Sequence, residues 1–127
     1  MMRNKFLGTG EKGYHPLRKI KVILSGLRFS MIDFSVTYKL VLSVLVIIPS
    51  LFLHKWVDSS IIILATVMML TAEMFNTVVE AMCDYMQSDY DPRIGMIKDV
   101  AAAATGIAIF AWIIILLVEA YELFQKI

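Results

Sequence analysis

One cysteine, Cys83, is all the chain contains, and that excludes an intramolecular disulfide. Charge is scarce as well: 18% of the 127 residues are charged against 59% hydrophobic. With a mean hydropathy of +0.74, the chain lies outside the range of soluble domains, where about half the residues are apolar. The first apolar run begins only at residue 40, so no secretory signal is visible. A formal net charge of +1 gives no reason to invoke nucleic acid. Internal repeats, low-complexity segments and a glycine-rich phosphate loop are all missing.

What is present is a set of long apolar runs, at residues 40–53, 61–72 and 100–118. The last has no charge over a length close to the ~20 residues needed to cross ~30 Å of hydrocarbon. The first is shorter and contains Pro49, but Tyr38 and Trp56 stand where interfacial aromatics belong, and Lys39 and Lys55 are placed to snorkel. The second continues through polar positions to Met86. These runs predict an all-α membrane protein with spans at about 38–56, 60–86 and 98–121. Cys83 and the nine methionines read as packing residues.

Charge is distributed unevenly along the chain. Arg3, Lys5, Lys12, Arg18, Lys19, Lys21, Arg28 and Lys39 all precede the first run, so the positive-inside rule places the N-terminus in the cytoplasm. Three spans then put the turn at 54–59 outside, the loop at 87–97 inside and the C-terminus outside. Residues 1–16 read as a flexible leader, and 17–127 as one membrane domain. Over 17–34, Leu17, Ile20, Ile23, Leu24, Leu27 and Met31 recur at helical spacing opposite Arg18, Lys21, Ser25 and Arg28. That pattern predicts an amphipathic surface helix on an anionic leaflet. Ala101–104 and Gly106 predict a close contact with the second span or a neighbouring subunit.

The polar residues of the second span carry the chemistry. At 100° per residue Glu73, Asn76, Thr77, Glu80 and Asp84 share an arc of about 100°. Carboxylates near membrane depth cost several kcal/mol each when unpaired, so this stripe faces the protein interior and binds something positive. A short loop returns the chain to Lys98 and Asp99, so two antiparallel helices bring these groups together. Carboxylates and a lysine at an aqueous boundary suit a magnesium–nucleotide site. Glu73, the deepest, is placed where burial favours proton uptake from an alcohol. A purely structural ion-pair knot fits the same spacing.

The pattern Glu73-x-x-Asn76-Thr77-x-x-Glu80-Ala-x-x-Asp84, then Ser88-Asp89-Tyr90, then Lys98-Asp99-x-Ala101-Ala102 resembles the prokaryotic diacylglycerol kinase family, which includes the undecaprenol kinases. The resemblance runs from about Leu17 to Val118. It implies a homotrimer in the bacterial inner membrane that phosphorylates a lipid alcohol with ATP and Mg²⁺. By position Glu73 resembles the catalytic base, and Asn76, Glu80, Lys98 and Asp99 the groups around the metal-bound triphosphate. Ser88, Asp89 and Tyr90 fall in the nucleotide-contacting loop, and Arg18 or Lys21 matches a basic residue of the surface helix. Glu80 resembles a metal ligand.

One departure stands out. Eight residues after Gly26 the family carries a second metal-binding glutamate, and this chain has Phe34 there, with Asp33 beside it. Either Asp33 substitutes, or Glu80 holds the metal with fewer protein ligands, or activity is reduced. A non-catalytic nucleotide- or lipid-binding trimer and a small cation-conducting or partner-stabilising membrane protein are the competing readings.

Overall fold

The computed structural model describes residues 15–53, 55–86, 89 and 91–126. Of the leader, only His15 and Pro16 fall among them. The described residues form four helices and no strand: α1 (Pro16–Ser30), α2 (Phe34–Phe52), α3 (Trp56–Met86) and α4 (Pro92–Lys126). The last three are each long and apolar enough to cross a membrane. At 1.5 Å per residue they measure about 28, 46 and 52 Å. The first of these matches the hydrocarbon thickness and the other two exceed it. The chain is a multi-pass membrane protein.

It divides into two compact units at Phe34. In the first, α1 opens on Pro16 at a position where a missing N–H costs nothing. The helix stops at Ser30, short of the expected 34. Ser30 Oγ donates to Gly26 O at 3.0 Å, and Ile32 and Asp33 donate to Phe29 and Ser30 carbonyls three residues back, tightening the chain out of the helix. Asp33 and Phe34 are therefore not neighbours on one continuous helix. Asp33 lies in the turn, and Phe34 is the first residue of α2.

In the second unit α3 and α4 form the principal packed pair. Local hydrogen bonding makes these helices start earlier than the apolar runs do. Ser59 N–H donates to Lys55 O at 2.9 Å, starting α3 four residues before the expected 60. Asp91 Oδ1 accepts from Arg93 N–H at 2.9 Å with Pro92 next to it, which is an N-cap followed by proline at the first helical position. Here α4 starts, six residues ahead of the expectation. The Arg93 side chain and N–H both hold the Asp91 carboxyl below the usual carboxylate range.

Buried positions recur at three, four or seven residues: Val36, Lys39, Ser43 and Ser50 in α2; Ser59, Ile62, Ala65, Thr66, Met69 and Glu73 in α3; Thr105, Trp112 and Glu119 in α4. Ala65, Met69 and Trp112 make the apolar centre, with Ile109, Ile115 and Leu116 against it. The small-residue run is divided between two faces. Thr105 and part-buried Ala101 face inward, and Thr105 Oγ1 donates to Ala72 O at 3.2 Å. Ala102–104 and Gly106 are exposed in the single chain, and a Cβ added at Gly106 would meet nothing within 4 Å.

The indole N–H of Trp112 donates to Ser43 Oγ at 2.8 Å, tying α4 to α2 inside the apolar centre. Ser43→Ala should lower stability by about 1 kcal/mol, the scale of an interhelical hydrogen bond in lipid. Ser43→Ala with Trp112→Phe should cost less than the sum of the two, by about 0.5 kcal/mol or more. Unfolding in mixed micelles measures this; strict additivity would show that the bond contributes nothing.

Candidate functional site

The polar stripe of α3 is arranged at three depths. Glu73 is deepest and buried, with 8% of its surface exposed. Its Oε1 is in an ion pair with the ammonium of Lys39 from α2, which is itself 4% exposed. Lys39 also donates to Ser35 Oγ at 2.9 Å, and Ser43 Oγ donates to the Lys39 carbonyl at 2.9 Å. Lys39 therefore does not snorkel, as its place beside an interfacial tyrosine predicts. It turns inward because a buried carboxylate one helix away is a stronger attractor than the headgroup region. Glu73 in turn is not a lone acid in an apolar pocket, since burial there comes with a compensating charge.

One turn further, Asn76 Nδ2 donates to Glu80 Oε1 at 3.3 Å. Asn76 Oδ1 is buried and has no hydrogen-bond partner among the described residues. Thr77 spends its hydroxyl on the Glu73 carbonyl at 3.0 Å, the usual back-bond of a threonine within a helix. Glu80 is exposed.

At the end of the stripe Asp84 pairs with Lys98 of α4. This fixes the antiparallel return that the sequence predicts and gives Lys98 a carboxylate partner. The pair is open, with side chains 67% and 35% exposed. Asp99 and Asp89 are exposed. Ser88 and Tyr90 lie outside the described residues. Arg18, part-buried, and Lys21, exposed, belong to α1, and Asp33 to the turn after it; these three belong to the first unit and the stripe to the second.

In chemical terms the second unit offers a buried carboxylate–ammonium pair, an amide and a carboxylate next to it, and a lysine at the rim. Glu80 and the unpartnered Asn76 Oδ1 are both oxygen donors, the type that hard divalent ions take. Such a donor set fits Mg²⁺. Lys39 was missed from the sequence. The signal for it was there, since Ser35, Lys39 and Ser43 are polar at intervals of four residues on the helix that must cover Glu73.

The two ion pairs should respond differently to deletion. Lys39→Met leaves Glu73 buried without its partner and should cost about 3–5 kcal/mol, largely restored when Glu73→Gln is added. Lys98→Ala breaks an open, solvent-screened pair and should cost far less. Thermal unfolding of the purified protein without nucleotide tests both, and equal costs would contradict the burial difference.

The family described as prokaryotic diacylglycerol kinase matches residues 22–119. That stretch begins within α1, takes in all of α2 and α3, and ends near the last turns of α4. No curated protein and no solved structure matches the chain. Three apolar helices, the carboxylate stripe of α3 with its lysines, and this match over most of the sequence agree, and the chain belongs to the prokaryotic diacylglycerol kinase family, which implies the activity of a lipid kinase.

Proposed function

We propose that the chain transfers the γ-phosphoryl group of ATP to the hydroxyl of a membrane lipid alcohol, diacylglycerol or undecaprenol. It does so as a homotrimer in the bacterial inner membrane, with its N-terminus in the cytoplasm and α1 lying on the membrane surface. The observation that carries this reading is the stripe from buried Glu73 to open Asp84–Lys98. It grades from apolar depth to an aqueous rim along one helix face, so a lipid hydroxyl and a nucleotide can meet along it.

In this reading Lys98 leaves Asp84 for the triphosphate, where its ammonium offsets charge developing on the transferred group. Asn76 and Glu80 present oxygens to the metal side of the nucleotide, with Asp99, Asp89, Ser88 and Tyr90 around it, and Arg18 or Lys21 contributing from α1. A bound Mg²⁺ supplies charge neutralisation of the phosphate oxygens. Glu73 receives the hydroxyl proton of the lipid. Lys39 must move off Glu73 Oε1, or accept the hydroxyl beside it, for that transfer to occur. Asp33, in the turn before α2, takes over the metal contact for which Phe34 has no donor.

A second reading rests on Lys39. An ammonium on the base and a phenylalanine in place of a metal ligand together describe a protein that binds nucleotide or lipid without turnover. ATP-dependent phosphorylation of undecaprenol and diacylglycerol in parallel separates the two: product from either lipid excludes the second reading. Nucleotide binding with no product from either establishes it.

Glu80→Gln should reduce turnover at least ~100-fold with assembly intact, in line with several kcal/mol of charge stabilisation by the ion. Near-normal activity at saturating Mg²⁺ would remove Glu80 from the metal. Glu73→Gln should abolish phosphorylation while Mg·ATP still binds, because a base acts on the acceptor; a matching loss of ATP affinity would reassign it. Asp33→Asn should raise the Mg²⁺ concentration needed for half-maximal activity, and Phe34→Glu should change it little. The reverse pattern would show a site that is merely short of a ligand.

A further inference from the structure

The far end of the α3–α4 hairpin holds a second group of acids that the kinase reading does not use. Asp58 stands in the first turn of α3, and Glu119 and Glu122 lie three residues apart near the end of α4. One oxygen from each lies within 4.8 Å of the others. Lys55, just before α3, places its ammonium 3.1 Å from both Asp58 Oδ2 and Glu122 Oε2. These two carboxylates, Asp58 first, hold the lysine above its usual range, so it stays charged.

Glu119 is the anomaly. The residue is 6% exposed, and its Oε2 is buried with no hydrogen-bond partner among the described residues. A buried carboxylate oxygen without a partner is costly. Glu119 is also the first charge after the apolar run of α4, twenty residues beyond Asp99. That is about 30 Å of helix, the thickness of the hydrocarbon. The acids therefore gather one bilayer away from Lys98 and Asp99.

We propose that Asp58, Glu119 and Glu122 form a cation site for a hard divalent ion of the Ca²⁺ or Mg²⁺ class, separate from the nucleotide site. Three carboxylates and one ammonium leave a formal charge of −2, which one divalent ion cancels. The donors are oxygens alone, which favours these ions over thiolate- or imidazole-seeking metals. The Glu122 side chain is 46% exposed, so water has access to complete the coordination shell. Bound there, the ion joins the start of α3 to the end of α4 and gives the buried Glu119 carboxylate a cationic partner.

The experiment uses the full chain in a neutral detergent, stripped with EDTA, in a Glu80→Gln background that disables the proposed nucleotide-site metal. Tb³⁺ serves as a luminescent probe excited through tryptophan, Trp56 being two residues from Asp58, and Ca²⁺ and Mg²⁺ serve as competitors. Binding should persist in Glu80→Gln, weaken at least 10-fold when Glu119→Gln is added, and tighten with Lys55→Met, which removes the competing cation. Ca²⁺ or Mg²⁺ should raise the melting temperature of Glu80→Gln and leave that of the Glu119→Gln double variant unmoved. Unchanged Tb³⁺ affinity in the Glu119→Gln variant would overturn the proposal. So would a melting temperature that Glu119→Gln raises equally with and without cations, since that identifies a carboxyl group that holds a proton and no metal.

Discussion

Two charges buried between apolar helices govern how the second unit is assembled. Lys39 and Glu73 would each cost several kcal/mol alone at that depth, and together they are tolerable only in one relative placement of α2 and α3. The consequences spread through short polar links. Lys39 takes Ser35 as a second acceptor, its carbonyl accepts from Ser43, and Ser43 accepts the indole of Trp112. A line of hydrogen bonds thus runs from α3 through α2 to α4, and the apolar residues Ala65, Met69 and Trp112 close around it. In lipid, where apolar contact between helices brings no hydrophobic gain over contact with acyl chains, such links carry the specificity of packing.

The same pair complicates the chemistry. In the proposed reaction the carboxylate that receives a proton has to be approached by its donor, and the approach to Glu73 Oε1 is taken by an ammonium from the neighbouring helix. Lys98 is likewise held by Asp84. Under the proposed function, substrates exchange partners with groups that already have them. The unpartnered Asn76 Oδ1 is the exception, and it sits between the two pairs in sequence and depth.

How far the sequence could be read depends on the range of the interaction. The three spans were legible because apolar runs report lipid exposure residue by residue, and the shared face of Glu73, Asn76, Glu80 and Asp84 followed from helical period alone. The meeting of Asp84 and Lys98 was legible because a short loop forces antiparallel helices to align there. Helix ends were not, since they turn on single hydrogen bonds such as the Asp91 cap on Arg93 N–H and the Ser30 contact with Gly26. Lys39 was misread for a different reason. Whether a lysine near a span end reaches for the headgroups or for a buried acid depends on what stands across from it, and the acid is 34 residues away in the chain. Glu119 was passed over because it reads as the ordinary polar end of a span until Asp58 and Glu122 are seen beside it.

The α3–α4 hairpin is cross-linked by polar contacts at three levels: Lys55 to Glu122 at one end, Thr105 to the Ala72 carbonyl in the middle, and Lys98 to Asp84 at the other end. The hydroxyls of Ser59, Ser60, Thr66 and Thr77 in α3 bond carbonyls four residues back along the same run and make no demand on a neighbour. Sliding α3 by one turn against α4, about 5.4 Å, would break all three cross-links at once. Shear between these two helices is therefore opposed at three levels. The polar fastenings of α2, at Lys39 and Ser43, lie within about one turn, so α2 is held to this hairpin at one level where α3 and α4 hold each other at three.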